Sequence, residues 1–171
     1  SYISFSQGSV FVYIVSMSLV ASTLGFLAFN WPPAKIFMGD VGSTFLGFTF
    51  AVLAVIAARY DRSHTSLFVV PLLLFHFIFD TSLTFILRIL KKENVFQAHR
   101  RHIYQLLNRL GFSHLQVNLI YSSLALIQGL IAIWMINDLG EERILIFLPL
   151  LGIYSIMAYV IIQHAKSRSL I

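Results

Sequence analysis

One acid stands in the polar break that runs Asn30-Trp31-Pro32-Pro33-Ala34-Lys35-Ile36-Phe37-Met38-Gly39-Asp40-Val41-Gly42-Ser43-Thr44, between two long apolar stretches. Asp40 has Gly39 before it and Gly42 two places after. Glycines admit positive φ and let a ligand approach the backbone closely, so a carboxylate held here could meet a metal or a phosphate with little obstruction. Ser43 and Thr44 fall where the N-cap of the next apolar helix is expected. Free backbone N–H groups and the positive end of that helix would then point into the loop. The chemistry suggested is the holding of a metal-bound polyphosphate.

A second group of chemically able side chains lies in Gln97-Ala98-His99-Arg100-Arg101-His102-Ile103-Tyr104-Gln105-Leu106-Leu107-Asn108-Arg109. The spacing of Ile103, Leu106, Leu107 and Leu110 predicts a helix over Ala98 to Leu110, which would put His99 and His102 on one side with Arg101 and Tyr104 beside them. Arginine forks and histidine hydrogen bonds suit the pyrophosphate and sugar of a nucleotide-sugar. Taken alone, such a loop reads more simply as a topology signal that also touches anionic lipid. A zinc site is disfavoured, because two histidines three apart lack nearby third and fourth ligands.

His76 and Asp80 form a third pair, four residues apart and so on one helical face. They lie inside an apolar run, where ionisable groups facing lipid are costly and are expected to turn towards protein or a wet cavity. Either they hydrogen-bond each other in helix packing, or Asp80 helps to shape the floor of a site.

The elements that must carry these groups are membrane spans. The 171 residues are 58% apolar and 11% charged, more hydrophobic surface than one soluble core needs. The expected fold is all-α, a polytopic membrane helix bundle forming a single domain over 1–171. Its five spans are placed at Val10 to Phe29, Ser43 to Ala58, Leu67 to Leu87, Leu115 to Ile136 and Ile144 to Gln163. The first is twenty uncharged residues, close to the ~20 needed to cross the hydrocarbon. The second is short for a span. Pro32 and Pro33 stop the first helix from continuing. Ser1 to Ser9 lacks the basic region of a signal peptide, and a start at Ser is expected of a fragment.

With five spans, the Asn30 loop, the Arg88 to His114 loop and the tail share one face, carrying nine of the twelve Lys and Arg; Arg59, Arg62 and Arg143 lie opposite. Short cytoplasmic loops are enriched in Lys and Arg, so the two large polar loops are expected in the cytoplasm and the active face on the inner side of the plasma membrane. The basic residues sit in loops rather than along a soluble face, so the net charge of +5 does not point to nucleic acid. The absence of cysteine removes disulfides and thiolate metal sites.

The run Lys35-Ile36-Phe37-Met38-Gly39-Asp40-Val41-Gly42-Ser43 resembles the Phe-Met-Gly-Asp-x-Gly-Ser motif of the polyprenyl-phosphate N-acetylhexosamine-1-phosphate transferases. These are membrane enzymes that include the phospho-MurNAc-pentapeptide translocases and the WecA-type and WbpL-type enzymes. The His-Arg-x-His-x-Tyr-Gln-x-Leu pattern at His99, Arg100, His102, Tyr104, Gln105 and Leu107 is similar to the WbpL-type branch. Phe79-Asp80-Thr81 resembles a family Asp-Thr step at the end of a span, with Phe77 where a proline often stands. The similarity covers the C-terminal half of the family. The adjacent Asp-Asp pair and the Asn-x-x-Asp-Gly-x-Asp-Gly stretch that members carry upstream are not in this sequence, so the chain alone is expected to be inactive.

That resemblance implies a transfer of N-acetylhexosamine 1-phosphate from a UDP-sugar to a polyprenyl phosphate, starting O-antigen or another cell-envelope glycan. It implies Mg²⁺, with Mn²⁺ as an alternative, held by Asp40 as catalytic ligand. Asn30, Lys35, Gly39, Gly42, Ser43, His99, Arg101, His102 and Tyr104 are the implied substrate-binding residues, and a homodimer is compatible with the family. Two other classes stay open on the residues: a transporter or channel component using His76 and Asp80, and a structural membrane subunit.

Overall fold

The computed structural model describes residues 9–60, 66–94, 97, 101–138 and 141–170. Helices α1 (Val10–Asn30) and α2 (Gly39–Tyr60) come first, followed by α3 (Ser66–Leu73), α4 (Phe75–Leu90), the short α5 (Ile103–Arg109) and α6 (His114–Asp138). A 3₁₀ turn, Glu141–Ile146, leads into α7 (Phe147–Ser167). No strand occurs among the described residues. Four helices are long and apolar enough to cross a membrane, and the pair α3 and α4 makes a fifth if counted as one span. The chain is an all-α, multi-pass membrane protein, as its composition predicts.

The chain divides into two compact units, Ser1–Val70 and Pro71–Ile171. In the first, α1 and α2 are joined by a tight polar turn. Trp31 N–H donates to the Leu27 carbonyl at 2.8 Å, Lys35 N–H to the Phe29 carbonyl at 2.8 Å, and the Asn30 amide to the Ile36 carbonyl at 2.8 Å. Hydroxyls within these helices turn back onto their own backbone: Ser18 on Ile14, Ser22 on Ser18, Thr49 on Phe45. In hydrocarbon there is no water to satisfy them, so the i−4 carbonyl is the available acceptor.

The second span differs from its expected form. It begins at Gly39 rather than Ser43 and ends at Tyr60, giving 22 residues, which removes the expected shortness. The reason is local: Gly39 takes φ +67°, turning the chain at the helix entrance, and Asp40 then occupies the first turn, where a carboxylate complements the helix dipole. Ser43 is inside the helix, its hydroxyl on the Asp40 carbonyl at 3.1 Å, so neither it nor Thr44 is the N-cap.

The third span is not one straight helix. It breaks at Leu74, with a bend of 70° between its halves. Pro71 lies inside α3, where it lacks a donor to its preceding turn. Past the break, Phe77 and Ile78 N–H groups both donate to the Leu74 carbonyl at 3.0 Å and restart the helix as α4.

The second unit is held by side chains of α4, α6 and α7. Phe75 meets Tyr154 edge-on with ring centres 5.4 Å apart, and Phe79 meets the same ring at 5.6 Å. The helix expected over Ala98 to Leu110 is confined to Ile103–Arg109, with Ile103, Leu106 and Leu107 buried. His102 is its extended N-cap, φ −63° and ψ 150°, and its N–H is met by the Gln105 side-chain oxygen at 3.2 Å. This is the reciprocal arm of a capping box, which terminates a helix at its start.

Candidate functional site

Asp40 stands exposed at the entrance of α2. Its face of the helix, with Val41, Thr44, Phe45 and Phe48, borders a shallow hollow of about 490 Å³. Gly39 is needed for the positive φ that aims this entrance, because an L side chain there would be strained. Gly42 is needed for space: a β-carbon would come 2.5 Å from Cγ of Met38. The two glycines thus serve different ends, one conformational and one steric. Lys35 is exposed in the preceding turn. Asn30, expected to bind substrate, donates its side-chain amide to the Ile36 carbonyl within the turn.

Whether this end can hold a divalent ion is decided by its donors. Among the described residues, no three of His, Cys, Asp or Glu are grouped closely enough to cage a metal. One exposed carboxylate fits Mg²⁺ only in the mode where one or two protein carboxylates share the ion with water and substrate phosphates. Asp40 is suited to that mode and to no all-protein cage.

In the second unit, His76 and Asp80 are both turned inward, 3% and 4% exposed. They do not bond each other, although they share a face; each meets a different element. His76 Nδ1 lies 2.7 Å from the Gln128 oxygen, and the Gln128 amide donates to the Tyr154 hydroxyl at 2.9 Å. An acceptor oxygen opposite Nδ1 requires the proton on that nitrogen. One buried relay therefore ties α4 to α6 and α7. Asp80 accepts from the Ile103 N–H at 2.9 Å and from the Thr84 hydroxyl at 3.3 Å, with His102 Nδ1 at 3.4 Å. It anchors the first turn of α5 and the histidine just before it.

The residues around that histidine form a small polar platform. Its ring stacks with Tyr104, centres 5.8 Å apart and planes within 16°. Arg101 donates to Glu93 at 2.5 Å. This hydrogen bond chiefly holds the Glu93 carboxyl below the usual range; burial opposes it, and the charges of Arg101, Lys91 and Arg88 each add a lesser lowering. Arg88, expected in the polar loop, is instead the buried last turn of α4, 5% exposed. It donates to the carbonyls of Gln97, at 3.1 Å, and Asn94, and lies 3.5 Å from Glu93. Arg88 thus stitches the loop to the helix end. His99 lies outside the described residues, and His102 precedes α5 as its N-cap.

Tyr104 also opens onto a cavity of about 450 Å³ bordered by Gln105, Asn108, Arg109, His114 and Asn118. The sequence reading passed over Asn108, His114 and Asn118. The signal for them is that they end one short helix and begin the next across a Gly111 turn, φ +109°, which folds both sets of polar groups to one side.

The sequence pattern of glycosyl transferase family 4 matches residues 1–58, the stretch that holds Asp40. Over that stretch the chain carries the family's pattern. Among similar proteins is a probable undecaprenyl-phosphate N-acetylglucosaminyl 1-phosphate transferase of Bacillus subtilis, 39% identical over 109 residues, covering 64% of this chain and 30% of that protein. A phospho-N-acetylmuramoyl-pentapeptide-transferase of Streptococcus agalactiae is 38% identical over 80 residues, covering 47% of this chain and 22% of its own. The enzyme of that name from Enterococcus hirae is 30% identical over 140 residues, 78% of this chain and 40% of its own. The chain thus spans less than half the length of each of these relatives. No solved structure matches it.

Proposed function

We propose that the protein to which this chain belongs transfers an N-acetylhexosamine 1-phosphate from a UDP-sugar to a polyprenyl phosphate at the cytoplasmic face of the plasma membrane, beginning a cell-envelope glycan such as O-antigen. The observation that carries the reading is Asp40: an exposed carboxylate in the first turn of a membrane-length helix, behind a left-handed glycine, within the matched family segment. The helix start presents N–H donors and a positive dipole end, which favour anionic oxygen nearby.

In this reading Asp40 gives one oxygen to Mg²⁺, or to Mn²⁺ in its place. The ion supplies neutralisation of charge on the diphosphate. Lys35, on the same turn, attracts a phosphate; Gly39 and Gly42 keep the approach open, with Ser43 one step further along the helix. In the second unit, Arg101, His102 and Tyr104 are proposed to hold phosphate or sugar: Arg101 by its guanidinium edge beyond Glu93, and Tyr104 by an exposed ring. His99 is proposed for the same task from the sequence motif alone. The lipid phosphate attacks the phosphorus nearest the sugar, that P–O bond to UMP breaks, and UMP leaves with the bonding electrons.

Replacing Asp40 by Asn in the full-length enzyme tests this directly. Loss of a supporting group at a metal site costs ~10–100-fold, and removal of a ligand is expected to exceed that in Mg²⁺-dependent transfer. Unchanged transfer would remove Asp40 from the mechanism. A transporter using His76 and Asp80 draws some support from the broken span, since transporters bind at interrupted helices. Against it, both side chains are committed to partners that pack the second unit.

A further inference from the structure

A cavity of about 330 Å³ lies between α4 and α7, at the ends of both helices where their basic residues gather. Its two parts differ in character. Leu83, Leu87 and Ile162 make an apolar wall along the helices, and Lys91, Arg101 and Lys166 stand at the mouth. None of its lining residues is an acid or a histidine. The nearby carboxylate, Glu93, is already engaged by Arg101 and Arg88. Among the described residues, Lys91 and Lys166 make no ion pair, so the mouth keeps a surplus of positive charge.

We propose that this groove holds an anionic glycerophospholipid of the surrounding bilayer. Its phosphate rests on Lys91 and Lys166, and the beginning of one acyl chain lies against Leu83, Leu87 and Ile162. Two facts select this occupant. Lys91 closes α4 and Lys166 lies in the last turn of the membrane-length α7, the position where basic pockets between spans take anionic headgroups, and the adjoining wall is apolar. The lining also offers no general base and no metal-ligating oxygen of a carboxylate, so it can hold a phosphate without a group to make it react. A resident lipid fits that chemistry better than a lipid undergoing transfer. The inference does not depend on the transferase reading.

The test is native mass spectrometry of the full-length protein in detergent, titrated with dioleoylphosphatidylglycerol and separately with dioleoylphosphatidylcholine. Wild type is expected to bind the anionic lipid in preference. The double variant Lys91→Gln/Lys166→Gln, which touches only exposed side chains, is expected to lose about tenfold in affinity for it, while Lys35→Gln loses nothing. Ile162→Trp fills the chain end while leaving the cations, and is expected to weaken the same lipid as well. Equal phosphatidylglycerol binding by wild type and the double variant overturns the proposal. So does full displacement by millimolar inorganic phosphate, which would mark an anion site without a chain. Tighter binding of undecaprenyl phosphate than of phosphatidylglycerol, lost in the same double variant, would assign the groove to the reacting lipid and overturn it too.

Discussion

Asp80 shows how a single buried charge can be structural. Its carboxylate takes the N–H of Ile103, a residue only 3% exposed, and the hydroxyl of Thr84. Hydrogen bonds to a charged group are worth about 1.5–3 kcal/mol, so Asp80→Asn is expected to lower stability by about 2 kcal/mol and Asp80→Ala by more, because the latter strands a buried donor. Thermal unfolding followed by circular dichroism in detergent reads both; equal melting of Asp80→Ala and wild type would refute the role. Glu93 gives a pH signature. Its folded carboxyl titrates below the ordinary range because Arg101 donates to it, so the stabilisation is complete above the unfolded value and is lost as pH falls through the folded one. Hydrogen exchange at the amides of 101–103, corrected for intrinsic rates, should rise towards acid in wild type and show a smaller pH dependence in Glu93→Gln. These partners were only partly legible in the sequence. That His76 and Asp80 face inward follows from the cost of charge in lipid, but their partners Gln128 and Ile103 lie 52 and 23 residues away, and no local pattern encodes such pairing.

At the level of elements, the long apolar runs coincide with helices to within a few residues, the third in two pieces, since length and hydropathy act together. The places where expectation failed are the ones governed by single residues. Gly39 moved the start of α2 back by four positions, Pro71 preceded a break, and His102 capped a helix that its apolar spacing would have extended to Ala98. Gly39→Ala tests the first of these. A side chain in the left-handed region costs about 1–2 kcal/mol, so the variant is expected to fray the first turn of α2 and weaken whatever Asp40 holds, whereas Gly25→Ala, with open space around it, should be silent in both. The Gln128 relay is the corresponding test for the second unit. Gln128→Leu leaves His76 and Tyr154 without their partner in a buried place and is expected to cost about 1–3 kcal/mol. A variant as stable as wild type would show that ring packing alone joins these helices.

For the whole molecule, the absence of cysteine is an experimental convenience. Within these 171 residues an introduced thiol is the single cysteine and can report membrane sidedness. Counting α3 and α4 as one span, the alternation of sides and the bias of Lys and Arg predict that Phe37→Cys and Lys92→Cys react with an impermeant maleimide from the cytoplasmic side, in inverted vesicles. Tyr60→Cys and Ile144→Cys should react only from the other side. Labelling of positions 37 and 92 from opposite sides would break the topology, and with it the proposed use of both polar loops on one face.

The 70° bend at Leu74 has a further meaning for a chain in this solvent. A helix that stops leaves up to four carbonyls without an internal donor, and oil offers them nothing in return. The corner must therefore be sheltered by other protein or touched by water, and a straight rod at this point would need neither. Leu72, wholly covered beside the corner, indicates shelter. The bend thus marks a spot where acyl chains cannot be the sole neighbours of the backbone, and where a thinner, wetter patch of bilayer would be tolerated first.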